Sequence, residues 1–94
     1  MKKCCEDWLV TQFGDDRETI EAVYAEYLET LADLKNQLAA ARQGGDPVVL
    51  DRVLHTIKGS AAMAGDHELS DLAQRARSAT GKDLLDSVVQ LMSI

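Results

Sequence analysis

Residues 55–60 read His-Thr-Ile-Lys-Gly-Ser, and their types and spacing suit the chemistry of an anionic group. An exposed histidine such as His55 is a competent nucleophile at neutral pH, because an unperturbed imidazole pKa of about 6.5 leaves most of the ring uncharged. Lys58 follows three residues later, so on a helix its ammonium lies one turn away and can neutralise a group such as phosphate on that ring. The sequence therefore offers a nucleophile with a cation beside it.

A helical wheel at about 100° per residue places His55 away from the core. With Leu50 set to zero, the apolar positions fall within about 40° of it, whereas His55 lies near 140°. Gly59 and Ala62 lie beside His55, at about 180° and 120°. Since glycine inside a helix costs about 1 kcal/mol relative to alanine, we interpret these two small residues as a flat surface that lets another protein reach the ring.

The elements that position His55 follow from apolar residues at helical spacing. A long segment alternates spacings of four and three, which is typical of a helix packed at a small angle in a bundle. Its inward residues are Ile20, Tyr24, Tyr27, Leu31, Leu34, Leu38 and Ala41. The helix that carries His55 repeats the pattern with Leu50, Leu54, Ile57, Ala61 and Ala64. The inward residues of two further helices are Leu69, Leu72, Ala73 and Ala76, then Leu84, Leu85, Val88, Val89, Leu91 and Met92.

Glycine and aspartate mark the predicted helix ends. A short first helix over Lys3–Phe13 is expected to close at Gly14. Asp15 and Glu18 resemble a capping box at the start of the next helix, and Gly44–Pro47 forms the clearest break. The remaining predicted stops and caps are Gly65, Asp66, Gly81 and Asp83. Because the connections are short, we predict an all-α fold, an antiparallel up-and-down four-helix bundle with a short extra N-terminal helix, as one domain over residues 1–94.

Composition excludes several classes of function. Sixteen acidic residues against ten basic ones, a net charge of -6, argue against nucleic acid or a membrane surface as the main partner. No apolar run approaches the roughly 20 residues of a membrane span, and the start lacks a signal-peptide core, so we expect a cytoplasmic protein. Met1 favours a whole protein over a piece of a longer one. Cys4 and Cys5 are adjacent, so we expect two free thiols and no metal site. His67 is interpreted as a surface residue.

The motif around His55, with Gly65 ten residues after it, resembles the signature of histidine-containing phosphotransfer (HPt) domains. The resemblance extends over nearly the whole chain, because those domains are helical bundles of about this size. It implies that His55 accepts a phosphoryl group and passes it to a receiver-domain aspartate, that Lys58 stabilises the phosphoryl charge, and that Gly59 and Ala62 form the docking surface. Ser60 and Gly65 then complete the structural motif. Ser60 is expected to pack, with a bond to the Thr56 carbonyl.

The chain departs from the family pattern at two positions. Leu54 stands before the histidine where a small residue is common. Arg77, 22 residues after His55, stands where the family usually carries Glu or Gln near the ring. On this reading Arg77 does not orient the imidazole as a Glu does, but is able to pair with a bound phosphate, and Gln74 is a candidate orienting group.

The resemblance implies a phosphocarrier rather than an enzyme. The chain has no Gly-rich phosphate loop, so we expect no cofactor of its own, and Mg²⁺ is expected on the receiver-domain partner. The expected partners are receiver domains of response regulators or hybrid histidine kinases, with the chain as a monomer. Two alternatives stay open: a helical adaptor that binds partners without phosphotransfer, and a bundle that dimerises through the seam of its long helix.

Overall fold

The computed structural model describes residues 1–78 and 88–90 of the 94-residue chain. Its helices are α1 (Lys3–Phe13), α2 (Arg17–Gly44), α3 (Pro47–Met63) and α4 (His67–Ser78), and residues 88–90 are also helical. Successive helices are joined by short turns and pack against each other, α1 on α2, α2 on α3 and α3 on α4. The predicted all-α bundle with a short N-terminal helix is confirmed.

The start of α2 differs from the prediction by one residue. Asp16, not Asp15, is the N-cap: its carboxylate accepts hydrogen bonds from the backbone N–H of Thr19 at 3.1 Å and from the Thr19 hydroxyl at 2.7 Å. The hydroxyl bond first and the backbone bond second lower the pKa of Asp16. Asp15 is unavailable as a cap because it belongs to the preceding turn, where its carbonyl accepts from the Arg17 N–H at 2.8 Å.

The turn between α2 and α3 follows the prediction. Gly45 adopts a left-handed conformation with φ of 69°, and its N–H donates to the Ala41 carbonyl. Asp46 caps α3 by accepting a hydrogen bond from the Val48 N–H at 2.9 Å. Pro47 occupies the first turn of α3, where its missing backbone N–H would have no partner within the helix. This turn reverses the chain and brings α3 back along α2.

The core contains the residues that the spacing placed inward. All seven seam residues of α2 are buried within the single chain, so their burial does not require a second copy. Leu50 and Leu72 are only half-buried, whereas Val53, which the wheel did not place inward, is buried. Val88 is fully buried in the same core. Val89, also predicted inward, is half-buried and packs against this core. Leu84, Leu85, Leu91 and Met92, together with the signals at Gly81 and Asp83, lie outside the described residues.

Helix α1 is held against the turn that follows α3. Gly65 in that turn has φ of 75°, and a Cβ added there would collide with the Cβ and ring of Trp8. Glycine is therefore required twice, for the backbone conformation and for the close approach of α1. Among the helices that the structure describes, none combines the length and apolar character that a membrane crossing demands.

Candidate functional site

His55 lies in the middle of α3 with its side chain exposed. Leu54 before it and Ile57 after it are 2% and 0% exposed, so they anchor α3 in the core. The helix geometry that buries these two residues turns His55 outward. The larger Leu54, which departs from the family pattern, is accommodated in the core and does not displace the histidine.

The surface beside His55 is open. Gly59 is exposed, and a Cβ added to it would meet no atom within 4 Å. Packing against the described part of the chain therefore does not require glycine at this position. Ala62 is also exposed, and Met63 beside it is 78% exposed, which extends the apolar character of this surface. Sequence reasoning missed Met63, because a terminal helix residue outside the seam carries no pattern.

Lys58 supplies a cation that the rest of the described chain does not use. Its side chain is half-buried, and its ammonium makes no ion pair or hydrogen bond with residues 1–78 or 88–90. The Lys58 carbonyl accepts a hydrogen bond from the Ser70 hydroxyl at 3.3 Å, which ties this turn of α3 to α4. Lys58 is the third residue after His55, so both side chains lie on one side of the helix.

Arg77 contacts the ring directly. Its Nη1 lies 2.9 Å from His55 Nδ1. Arg77 was expected near the ring without orienting it as a glutamate does. Helix α4 packs along α3 and brings the guanidinium into contact with the imidazole. The polarity is opposite to that of a glutamate, because a guanidinium only donates hydrogen bonds. Gln74 is exposed one turn earlier on α4, and its role as an orienting group stays a prediction.

Asp51 completes the group, and sequence reasoning did not identify it. Arg77 Nε donates to Asp51 Oδ1 at 3.1 Å, and Nη2 donates to Oδ2 at 3.5 Å. The Arg77 and Asp51 side chains are 26% and 52% exposed. A carboxylate four residues before a helical histidine lies on the same face, and this spacing was the signal available. We call Asp51, His55 and Arg77 the surface triad.

Ser60 lies on the side of α3 that faces α2, away from Arg77 on α4. It is half-buried and lines a groove of about 260 Å³ between α2 and α3, together with Tyr27, Thr30 and Met63. The expected bond from Ser60 to the Thr56 carbonyl is not among the hydrogen bonds of the described residues; the Thr56 hydroxyl itself donates to the Arg52 carbonyl at 3.1 Å. The placement of Ser60 fits a packing residue.

A second group of ionisable residues is buried at the other end of α3. Asp66 is fully buried, caps α4 by accepting from the Leu69 N–H at 3.3 Å, and also accepts from Tyr27 Oη at 2.7 Å. Lys2 Nζ lies 2.9 Å from the same carboxylate. The capping role was predicted, but the bonds to Tyr27 and Lys2 were not, because they join segments far apart in sequence. We call Lys2, Tyr27 and Asp66 the buried cluster.

The buried cluster also determines the state of nearby acids. Burial first, and the Asp66 charge second, raise the pKa of the Cys5 thiol to about 12. Burial first, and the hydrogen bond to Asp66 second, raise the pKa of Tyr27 well above its ordinary range. Both groups therefore stay protonated in the folded protein at neutral pH.

Next to the buried cluster, Cys4 and Cys5 form with Asp66 a possible metal-ligand set among the described residues. The sulfurs of Cys4 and Cys5 and a carboxylate oxygen of Asp66 lie within 4.8 Å of one another. A metal there would compete with the ammonium of Lys2 and the hydroxyl of Tyr27 for the carboxylate. We therefore assign no metal to this group. His67, the first residue of α4, is exposed and not part of it.

Comparison with known proteins identifies the family. The family model of the Hpt domain matches residues 22–92, which is more than half of the chain and includes α3, α4 and the surface triad. Neither a curated protein nor a solved structure matches the chain. The chain belongs to the Hpt domain family, the helical bundles that serve histidine phosphotransfer in two-component signalling.

Proposed function

We propose that His55 carries a phosphoryl group between receiver-domain aspartates, or from a histidine kinase to a response regulator. The observation that carries this proposal is the exposed imidazole in the middle of α3, with open backbone at Gly59 and with the ammonium of Lys58 unpaired among the described residues. His67 lacks these neighbours, because no lysine follows it at the same spacing.

The transfer requires little from this chain beyond position and charge. A lone pair on an imidazole nitrogen attacks the phosphorus of an aspartyl phosphate, the bond from phosphorus to the aspartate oxygen breaks, and its electron pair returns to the carboxylate. Lys58 lies close enough to stabilise the charge on the transferred phosphoryl group. Mg²⁺ for this step is expected on the receiver, so the chain acts as a phosphocarrier without an ATP site of its own.

The partner that fits this surface is a receiver domain. Gly59, Ala62 and Met63 present a low, partly apolar surface beside the ring, and a receiver must approach His55 closely enough for its phosphoaspartate to reach the nitrogen. We propose that Gly59 and Ala62 lie in this docking surface. We propose a monomer, with neither nucleic acid nor a membrane as partner.

The two histidines of the chain provide a matched experiment. A receiver domain is phosphorylated with a small-molecule phosphodonor and incubated with the wild type, with His55→Gln and with His67→Gln. The proposal predicts label on the wild type and on His67→Gln, none on His55→Gln, and return of the label to unphosphorylated receiver. Label that persists on His55→Gln would rule out His55 as the acceptor.

A helical adaptor without phosphotransfer is the second candidate, and one observation favours it. Arg77, which only donates hydrogen bonds, occupies His55 Nδ1. An adaptor binds a receiver with equal affinity whether or not His55 is present, and takes no label. Titration of the receiver by isothermal calorimetry against the wild type and His55→Gln separates this candidate from the phosphocarrier.

A further inference from the structure

The contact between Arg77 and His55 determines which ring nitrogen holds the proton. Arg77 Nη1 lies 2.9 Å from Nδ1. A guanidinium carries only donors and does not lose its charge in a protein, so Nδ1 must be the acceptor in this bond. In the neutral imidazole the single proton is then on Nε2.

The guanidinium is held in this orientation by Asp51. Two of its nitrogens, Nε and Nη2, face the two oxygens of that carboxylate, at 3.1 and 3.5 Å. The guanidinium is planar and its donors form a rigid fork. Because Nε and Nη2 are bonded to Asp51, the remaining nitrogen, Nη1, points at His55. Asp51 therefore orients Arg77 for its bond to the ring.

Arg77 covers Nδ1, so Nε2 is the nitrogen that a receiver can approach, and this tautomer opposes phosphoryl acceptance there. A nitrogen that bears a proton in the neutral ring has no free lone pair in the ring plane and does not attack phosphorus. The reactive form carries its proton on Nδ1. After the attack on an aspartyl phosphate, Nε2 is bonded to phosphorus, Nδ1 keeps its proton, the ring is a cation, and the released carboxylate takes the electron pair of the broken bond. Arg77 at Nδ1 disfavours both the reactive tautomer and this cation.

We propose that Arg77 is a positioning residue that holds His55 in a resting tautomer, and that transfer requires Arg77 to leave Nδ1. The inference rests on the proposed phosphocarrier function and concerns the same site. We expect the phosphoryl group of the docked receiver to displace Arg77 from Nδ1. Its oxygens accept hydrogen bonds from the guanidinium, as the Asp51 carboxylate does in the free protein. Transfer is thereby coupled to the arrival of a phosphorylated partner.

The resting tautomer is measured directly by ¹⁵N NMR of the whole chain. The pH is raised until the signals of the His55 ring stop changing, so that only the neutral ring is observed. Arg77→Gln removes the contact, and Arg75→Gln is the matched control, because Arg75 is an exposed arginine on the same helix. We expect mainly the Nε2–H form in the wild type and in Arg75→Gln. In Arg77→Gln the ratio of Nδ1–H to Nε2–H should rise by about threefold or more. A wild-type ring that is mainly Nδ1–H, or an unchanged ratio in Arg77→Gln, overturns the inference.

The same three proteins are then compared for uptake of label from a phosphorylated receiver. The glutamine amide in Arg77→Gln keeps a donor for the phosphoryl oxygens, and its carbonyl can accept from Nδ1–H of the reactive tautomer. Arg77→Gln should therefore accept the phosphoryl group about three to ten times faster than the wild type, and Arg75→Gln at the wild-type rate. Slower or equal uptake by Arg77→Gln overturns the resting-tautomer role and leaves the proposed function intact. No label on the wild type, whatever the tautomer, rejects the proposed function instead.

Discussion

The surface triad and the buried cluster are both built on an aspartate paired with a cation, yet they differ in what surrounds the charges. Asp51 is half exposed and contacts Arg77 at the surface, while Asp66 is fully buried between Lys2 and Tyr27. Water screens the first pair and is excluded from the second carboxylate. The difference indicates that the buried cluster contributes stability, whereas the surface triad is able to rearrange when a partner arrives.

Removal of the buried carboxylate should have the largest effect. Asp66→Ala leaves Lys2 and Tyr27 without their partner and removes the cap of α4, so we expect a loss of about 3 kcal/mol or more in the free energy of unfolding. Asp51→Ala is the matched control, and its exposed ion pair should change stability by less than about 1 kcal/mol. Urea denaturation followed by Trp8 fluorescence measures both. Equal losses would remove the distinction between the two regions.

Gly65 joins the buried cluster to α1, and its substitution should have the next largest effect. Gly65→Ala places a Cβ against Trp8 in a left-handed backbone, so we expect a loss of about 2 kcal/mol. The emission of Trp8 should change as well, because its packing partner moves. A stability equal to that of the wild type would show that α1 does not need this close approach.

The raised pKa of Cys5 predicts that stability falls at alkaline pH. The thiol has an ordinary pKa of 9.0, and burial raises it to about 12 in the folded chain. Between these values the unfolded chain binds fewer protons than the folded one, so a rise in pH favours unfolding. From neutral pH to about pH 9.5 we expect a loss of about 1 kcal/mol from this group.

The adjacent cysteine provides the control for this pH dependence. Cys5→Ala should weaken the loss between neutral pH and about pH 9.5. Cys4→Ala should keep most of it, because burial and the Asp66 charge raise the Cys5 pKa more than Cys4 does. Urea denaturation at each pH follows both variants. The same dependence in Cys5→Ala and in the wild type would show that another group is responsible.

Beside the surface triad, substitution of Gly59 should give the smallest change in stability and a change in function. Gly59→Ala adds a Cβ in open space inside a helix, so the free energy of unfolding should rise by about 0.5 to 1 kcal/mol, while uptake of label from a receiver slows. Gly44→Ala, also a helical glycine with open space around it, should be stabilised without slower uptake. Unchanged uptake by Gly59→Ala would show that the receiver does not dock over this residue.

The sequence predicted the parts of this molecule that depend on local spacing. The seam of α2, the outward position of His55 and the turn at Gly45 follow from helical periodicity and from the chemistry of caps. The contacts of Arg77 with His55, and of Tyr27 with Asp66, did not follow, because they depend on how two helices are rotated against each other. Helical spacing gives the face of one helix, but not which side chains of its neighbour face it.

His55 is proposed as the phosphoryl acceptor, and site mapping of the labelled chain shows directly which residue holds the phosphate. After incubation with a phosphorylated receiver, the wild type is digested and the labelled peptide is sequenced by mass spectrometry under alkaline conditions that preserve phosphohistidine. We expect an acid-labile, base-stable phosphate on His55. Phosphate on His67 or on a hydroxyl side chain, with His55 unmodified, would contradict it.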